Sequence, residues 1–169
     1  MKKTLVVTLL IVLALGGLLL GGQASPAAAD EHTLLQFNTM VGVPPSFTAA
    51  KNPIRNINGG GLPWMLTSAA GRLSEGGRLE LVVHGLVLAA GANAGSNPIA
   101  NFRATVSCLT TDGVIDNETS ELFPASTGPA SSGGGNAQIQ TTLSLPSPCI
   151  APIVFVTSPG GAWFAATGR

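Results

Sequence analysis

Apolar and polar residues alternate along most of the chain beyond residue 30, with the two-residue period of a β-strand that buries one face. The clearest case is the stretch 78–90, in which every second residue from Leu79 to Val83 is apolar. After Gly85 the alternation with polar residues ends. Residues 86–88 are therefore predicted to be buried on both faces or to lie where the strand bends at a bulge. We therefore expect the rest of the domain to be organised around this strand.

The same alternation predicts further strands, which are separated by turn-forming residues. They cover residues 34–40, 62–69, 101–110, 137–145, 152–157 and 162–167. Residues 54–57 and 119–123 are shorter strand candidates, and residues 46–52 have room for one helical turn. About seven to eight short strands without a substantial helix predict an all-β fold, either an antiparallel β-sandwich or a flattened barrel.

Two segments have the residues of hairpin turns. Residues 74–77, Ser-Glu-Gly-Gly, supply the glycines of a four-residue hairpin loop, so the strand before them is predicted to pair antiparallel with the stretch 78–90. Residues 158–161, Ser-Pro-Gly-Gly, have Pro second and Gly third, which predicts a type II turn in the last hairpin.

Residues 1–29 have the organisation of an export signal. Two lysines near the start precede an uncharged apolar run, and Ala27-Ala-Ala29 supplies the small residues of a cleavage site before Asp30. A second candidate cut follows Ala24, and the alternative to cleavage is a retained membrane anchor. Paired glycines and a proline interrupt the apolar run and favour cleavage. We expect a secreted, extracytoplasmic protein with no membrane segment after cleavage and a single domain over residues 30–169.

Composition and charge narrow the classes of function. Only 9% of the residues are charged, and cleavage would leave six basic against eight acidic residues, a net charge of about −2. A surface with so few charges has no basic patch for DNA or RNA, which excludes nucleic-acid binding. The Gly/Ser-rich residues 127–136 predict a flexible loop tip within the domain.

The chain has two cysteines, Cys108 and Cys149, which in an exported protein are most simply paired in one disulfide. Cys108 falls in the buried phase of the strand 101–110. A redox-active pair is disfavoured, because there is no Cys-x-x-Cys motif and no neighbouring Lys or His to activate a thiol. Both tryptophans lie outside the cysteine pair, which disfavours the immunoglobulin pattern.

Metal ligands and catalytic motifs are few. Asp112, Asp116 and Glu118 lie in an acidic loop that is a weak calcium candidate, because the loop lacks the regular spacing of a calcium-binding loop. A solvated turn is the simpler interpretation, and we expect no metal and no cofactor. No nucleophile elbow, zinc-protease or phosphate-binding motif is present, so no catalytic residue is predicted.

Trp64 and Trp163 are the remaining binding candidates, since exposed indole rings can stack on a sugar or on a partner protein. Their neighbours are small or apolar, which leaves few polar groups to orient the hydroxyl groups of a sugar. Burial is therefore the favoured interpretation, with the indole N–H of at least one ring bonded to a carbonyl group.

Seven sequence blocks occur together along the chain. They are GGLPW (60–64), GRL (71–73), HGLVL (84–88), NPIANF (97–102), VSC (106–108), LPSPCIAPIVFV (145–156) and GAWF (161–164). In this order they resemble a family of small exported bacterial β proteins of unknown function. The resemblance covers most of the predicted domain, including both cysteines, and leaves out residues 127–136. It supports the domain boundaries and implies no activity, cofactor or catalytic residue.

The sequence therefore predicts a secreted, non-catalytic β-sandwich that serves as a structural or binding module. Its partner is not identified by the sequence, and an extracellular protein or a polysaccharide are the classes that fit. The alternative is a carbohydrate- or surface-binding module that uses exposed Trp64 and Trp163. A small hydrolase is disfavoured because its motifs are absent. Exposure of the two indole rings distinguishes the first two functions.

Overall fold

The structure, a computed structural model, describes residues 32–167. The strands are β1 Thr33–Phe37, β2 Met40–Gly42, β3 Trp64–Met65, β4 Ser68–Ser74, β5 Arg78–His84, β6 Val87–Leu88, β7 Ser96–Asn97, β8 Asn101–Leu109, β9 Ile115–Thr119, β10 Phe123–Pro124, β11 Gly128–Pro129, β12 Ala137–Thr142, β13 Ile150–Thr157 and β14 Trp163–Thr167. Two 3₁₀-helices, Pro45–Phe47 and Ala130–Ser132, are the only helical elements of this part of the chain. None of its helices is long and apolar enough to cross a membrane. The predicted signal peptide and its cleavage site lie outside the described residues.

One sheet has four antiparallel strands in the order β1-β4-β5-β12. Its inner strand β5 buries every second residue from Leu79 to Val83 and exposes the others, as the alternation predicts. The predicted hairpin between β4 and β5 is also present, and its Gly77 N–H donates to the Ser74 carbonyl oxygen (3.0 Å). The strand chosen from the sequence as the organising element is therefore paired on both sides.

The chain leaves this sheet where the alternation of β5 stops. Gly85 has a φ of 62°, and β6 after it pairs with β3 instead of extending β5. For the same reason the predicted strand 62–69 is divided, with β3 pairing to β6 and β4 pairing to β5. The buried residues 86–88 are thus explained by a bend, one of the two alternatives that the sequence left open.

The larger sheet has six strands, in the order β10-β8-β13-β14-β2 with β9 also paired to β8. In β8 the even-numbered residues from Phe102 to Cys108 share one face and are fully buried. Thr105 and Ser107, on the other face, are buried as well. This sheet is therefore covered on both faces.

The two sheets face each other across one hydrophobic core. The core combines Leu81 of β5 and Ile139 of β12 with Phe102, Val106 and Val156 of the six-stranded sheet. Each sheet has an apolar face that must be removed from water, and stacking two such faces is the standard solution. The predicted antiparallel β-sandwich is confirmed.

Residues 43–60, which we call the covering segment, lie over the outer face of the six-stranded sheet. The Trp163 N–H of β14 donates to the Asn58 carbonyl oxygen (2.9 Å). At the far side of the sheet, the Asn117 side-chain amide of β9 donates to the Arg55 carbonyl oxygen (2.9 Å). The segment thus bridges β14 and β9 across the strands between them. The outer face of the four-stranded sheet has no such cover among the described residues.

The last hairpin has a different turn from the predicted one. The Gly161 N–H donates to the Ser158 carbonyl oxygen (3.0 Å), so a four-residue turn is present. Gly161 has a positive φ (88°) and Gly160 does not, whereas a type II turn needs it at the third residue. The type II prediction is therefore wrong. Next to the turn the register of β13 and β14 shifts by one residue, so that Thr157 pairs with Trp163, and the left-handed residue is the fourth of the turn, Gly161.

Residues 127–136, which their Gly/Ser content predicts to be a flexible loop tip, are hydrogen-bonded to other parts of the domain. The Ser126 hydroxyl donates to the Gly133 carbonyl oxygen, and the Leu86 N–H donates to the Gly135 carbonyl oxygen (2.9 Å). Within the segment, β11 pairs with β7. Backbone hydrogen bonds therefore join this stretch to the domain although it has few side chains to pack, and its flexibility stays a prediction.

The shorter candidates also differ in detail. Residues 54–57 form a tight turn, in which Ile54 and Ile57 exchange two backbone hydrogen bonds, rather than a strand in either sheet. Residues 119–123 connect β9 to β10 instead of forming one edge strand. The helical turn expected within residues 46–52 is a three-residue 3₁₀-helix that begins one residue earlier.

Candidate functional site

The ring of Trp64 is buried on the core side of the six-stranded sheet. It is 5% exposed and stacks on Phe164, with ring centroids 3.9 Å apart and an interplanar angle of 23°. Phe164 in turn meets Phe102 of β8 edge to face, at 5.9 Å. Trp64 therefore closes one part of the sandwich core.

The ring of Trp163 is buried on the opposite side of the same sheet. It is 2% exposed and lies 6.1 Å from Phe155 and 6.2 Å from Phe47 of the covering segment, measured between ring centroids. Its Nε1 has no hydrogen-bond partner in the described chain, so Trp163 is not a ring whose indole N–H bonds to a carbonyl group. The aromatic contacts hold the covering segment against the sheet.

A ligand-stacking platform made of Trp64 and Trp163 is therefore excluded. Both rings are buried, as their apolar neighbours predict, and the six-stranded sheet separates them. The carbohydrate- or surface-binding function that required their exposure loses its basis. Any binding surface must be built from other residues.

The acidic calcium candidate does not form a ligand loop. Asp112 lies in the turn after β8, whereas Asp116 and Glu118 belong to strand β9 and lie opposite Cys108 and Val106 of β8. Within residues 32–167 no three His, Cys, Asp or Glu side chains are grouped closely enough to hold a metal ion. The prediction of a loop is wrong because Asp112-Gly113 forms a hairpin turn, which makes the following residues a paired strand.

Cys108 and Cys149 form the predicted disulfide, with their Cα atoms 5.0 Å apart. It ties β8 to the chain that enters β13, the neighbouring strand of the same sheet. Cys108 is fully buried, and no free cysteine is present in the described chain. The bond therefore has the position of a structural cross-link.

Ser68 and His84, a hydroxyl and an imidazole of the kinds that hydrolases use, lie opposite one another on the neighbouring strands β4 and β5. Both are exposed on the outer face of the four-stranded sheet. Among the described residues, no hydrogen bond joins the two side chains, and His84 has no carboxylate partner. A hydrolytic triad needs a hydrogen-bonded base that is oriented by a third group, and neither condition is met here.

The outer face of the four-stranded sheet carries a row of polar side chains, one from each strand. Cross-strand pairing aligns Gln36 with Arg72, Arg72 with Glu80, and Glu80 with Gln140. All four residues are exposed, and we call them the polar row. Because neighbouring strands lie about 4.8 Å apart, the row extends for about 15 Å across the sheet.

The surroundings of the polar row are also polar. Arg78 forms an ion pair with Glu80 at 2.8 Å, and both side chains are at least half exposed. Together with Gln140 and Thr142 they line a shallow depression at one side of the row. Val82 is the one large apolar residue on this face of β5, and it is 38% exposed. Among its described residues the face therefore offers hydrogen-bonding groups and no Phe or Trp side chain.

Sequence reasoning identified several of these residues as polar but missed the row. Alternation along the predicted strands 78–90 and 137–145 places Glu80 and Gln140 in the exposed phase. Arg72 lies in a strand interrupted by Gly71, and Gln36 lies in a short first strand, so neither stood out. The alternation predicts which face of the sheet each residue occupies. Which residues align across the four strands depends instead on how the strands pair.

Comparisons with known proteins add no relative. No family model matches this chain, and no match was found among the curated proteins or among the solved structures. The resemblance to a family of exported bacterial proteins therefore stays a prediction. The function has to be inferred from the chain's own surfaces, of which the polar row is the most developed.

Proposed function

We propose that this protein is a non-catalytic binding module that works outside the cytoplasm and holds its ligand on the outer face of the four-stranded sheet. The observation that carries this proposal is the polar row, Gln36-Arg72-Glu80-Gln140, on the sheet face that no segment of the described chain covers. The Cys108–Cys149 disulfide supports an oxidising compartment. The predicted export signal is consistent with the same location.

The chemistry of the face favours a hydroxyl-rich polymer, such as a polysaccharide, as the ligand. Amide, guanidinium and carboxylate groups can together donate to and accept from hydroxyl groups along the row. The polar row extends across four strands, with only a shallow depression at one side, which fits an extended chain better than a small molecule, since small ligands prefer concave sites. It is the exposed polar groups, and not the buried tryptophans, that would contact the sugar.

A protein partner is less well matched to the same face. Protein interfaces are enriched in aromatic residues, Met and Arg and depleted in Lys, Glu and Asp. Here the centre is occupied by Arg72 and Glu80, and the apolar contribution is limited to Ala70 and Val82. The composition therefore supports a polar polymer ahead of a protein.

The experiment is co-sedimentation of the exported protein with insoluble cellulose, chitin and peptidoglycan. Retention on at least one polysaccharide is expected, and Arg72→Ala should weaken it by about tenfold or more, since a hydrogen bond to a charged group contributes about 1.5–3 kcal/mol. Gln140→Ala should weaken it less, by about two- to tenfold, since a neutral hydrogen bond contributes about 0.5–1.5 kcal/mol. Lys51→Ala removes an exposed cation of the covering segment and is the matched control, which should bind as the wild type does. Absence of binding to all three polymers, or equal loss in the control, would overturn the proposal.

A further inference from the structure

The covering segment is fixed to the six-stranded sheet at its two ends. At one end the Val43 N–H donates to the Phe164 carbonyl oxygen (2.9 Å), and at the other the Gly60 N–H donates to the Trp163 carbonyl oxygen (2.8 Å). Between these ends, the described backbone hydrogen bonds of residues 44–57 stay within the segment itself. The middle of the segment is therefore attached to the sheet by other contacts.

Arg55 supplies both of the described hydrogen bonds that join residues 44–57 to the sheet. Its carbonyl oxygen accepts from the Asn117 side-chain amide of β9 (2.9 Å), and its Nη2 donates to the Ala151 carbonyl oxygen of β13 (3.2 Å). Both bonds lie at the protein surface, where water competes for the same groups. A single residue with two solvent-accessible bonds thus fastens the middle of the segment.

Apolar packing holds the same part of the segment closed. Phe47 meets the ring of Trp163 edge to face at 6.2 Å, and Ile57 is buried against the core. Removing these side chains from water favours the closed form, which is the form that the structure describes.

Backbone strain opposes the closed form. Four residues other than glycine have a positive φ in the described chain, and three of them are in the covering segment: Ala49 (53°), Arg55 (51°) and Asn56 (63°). The fourth, Ala151 (47°), is the residue that accepts the hydrogen bond from Arg55. Left-handed backbone is unfavourable for most residues with a side chain, and such strain clusters in clamps and switch regions. Here it is confined to the covering segment and its point of attachment.

Unpaired polar groups oppose the closed form as well. Four buried side-chain polar atoms have no hydrogen-bond partner in the described chain, namely Arg55 Nη1, Arg103 Nε, Ser107 Oγ and Trp163 Nε1. The first belongs to the covering segment, and the other three side chains lie on the sheet face beneath it. Burial without a partner is unfavourable for a polar group, so native proteins contain few such atoms. These groups gain hydrogen bonds to water when the segment lifts.

We propose that residues 44–57 form a lid that opens and closes over the outer face of the six-stranded sheet. Its hinges are the two fixed ends, and Arg55 is its latch. Opening relieves the left-handed backbone and hydrates the unpaired polar groups, whereas closing buries Phe47 and Ile57. The open form exposes a second polar sheet face, which includes Thr105 and Ser107 and is separate from the polar row.

A thiol placed beneath the lid tests the opening. Thr105 is 3% exposed at the centre of the covered face, between Thr119 of β9 and Phe155 of β13. Val106, the next residue, is 0% exposed and lies on the core face, so Val106→Cys is the matched control for Thr105→Cys. Both natural cysteines are in the disulfide, so the introduced thiol is the only one that iodoacetamide can alkylate.

The two thiols should react by different routes. Without urea, Thr105→Cys should be alkylated at least about tenfold faster than Val106→Cys, because a local opening requires less free energy than unfolding of the domain. Low concentrations of urea should barely change the rate of Thr105→Cys, since lid opening exposes little surface, and should steeply raise that of Val106→Cys.

The latch is tested by adding Asn117→Ala to both thiol variants. The loss of one neutral hydrogen bond from the closed form should raise the alkylation rate of Thr105→Cys by about two- to tenfold. The rate of Val106→Cys should rise by less. Asn93→Ala changes an exposed asparagine between β6 and β7 whose side chain makes no described hydrogen bond, and it should alter neither rate.

A second measurement needs no introduced thiol. The unpaired indole N–H of Trp163 should exchange with deuterium at a rate that low urea barely changes and that Asn117→Ala raises, as followed by NMR. The lid is contradicted if both thiols react at the same rate with the same dependence on urea. It is also contradicted if Asn117→Ala accelerates neither thiol or both equally, or if the indole N–H exchanges only on global unfolding. None of these outcomes bears on ligand binding by the polar row.

Discussion

Trp163 and Phe164 are consecutive residues of β14, yet their rings lie on opposite faces of the six-stranded sheet. Phe164 contacts Trp64 on the core side, and Trp163 contacts Phe47 and Phe155 on the outer side. Strand β14 therefore packs against both the sandwich core and the covering segment. Because Trp64 lies on the core side of the six-stranded sheet and Trp163 on its outer side, the fluorescence of each ring reports on one side of that sheet.

Tryptophan fluorescence should show two buried rings. We expect blue-shifted emission and poor quenching by acrylamide, because Trp64 and Trp163 are 5% and 2% exposed. Trp64→Ala should lower the free energy of unfolding by about 3–5 kcal/mol, since it removes a large side chain from the core. Red-shifted emission that acrylamide quenches fully would contradict the burial of the rings.

The disulfide should contribute strongly to stability. Closing a loop between Cys108 and Cys149, which are 41 residues apart, is expected to contribute about 4 kcal/mol through the entropy of the unfolded chain. Mass spectrometry of the exported protein under non-reducing conditions should find two hydrogens fewer than after reduction. Denaturant unfolding of the double variant Cys108→Ala/Cys149→Ala and of reduced wild type should give matching losses, and unequal losses would point to an effect of the substitutions themselves.

Two substitutions on opposite faces of the four-stranded sheet test its orientation. Leu81→Ala should destabilise the domain by about 2–5 kcal/mol, because the side chain is 1% exposed in the core. Gln140→Ala, from the exposed polar row, should change the free energy of unfolding by no more than about 0.5 kcal/mol. Chemical denaturation measures both, and comparable effects would be inconsistent with the described strand faces.

A pair of glycine substitutions tests whether residues 127–136 are tied to the domain. A Cβ on Gly134 would overlap the Gly128 carbonyl oxygen, whereas a Cβ on Gly61 meets no atom within 4 Å. Gly134→Ala should therefore destabilise the domain by more than about 1 kcal/mol, and Gly61→Ala should be neutral or slightly stabilising. A harmless Gly134→Ala variant would restore the flexible loop that composition predicts.

The export prediction is checked by N-terminal sequencing of protein recovered from the medium. The mature chain should begin at Asp30, because the three alanines before it provide the small residues that a signal peptidase needs. A start at Ser25 would indicate the second cut after Ala24. Recovery only with membranes would contradict secretion as a soluble protein.

The sequence by itself determined the features that depend on nearest neighbours in the chain. Alternation along β5 and β8 identified which of their residues face the core, because successive side chains of a strand point to opposite sides. Glycines between apolar runs located the hairpin before β5, and two cysteines with no other partner predicted their own bond. Apolar neighbours also indicated correctly that Trp64 and Trp163 are buried.

Only the tertiary structure decided which strands are neighbours and which sheet face is covered. Gln36 and Gln140 reach the same row through strands distant in sequence, and alternation does not encode that register. Composition did not predict that residues 127–136 bond through their backbone to other segments, because side-chain content does not reveal such contacts. The acidic residues were likewise misassigned because pairing with β8 converted a presumed loop into strand β9. In each case the stabilising contacts join distant parts of the chain, and a pattern of neighbouring residues contains no information about such contacts.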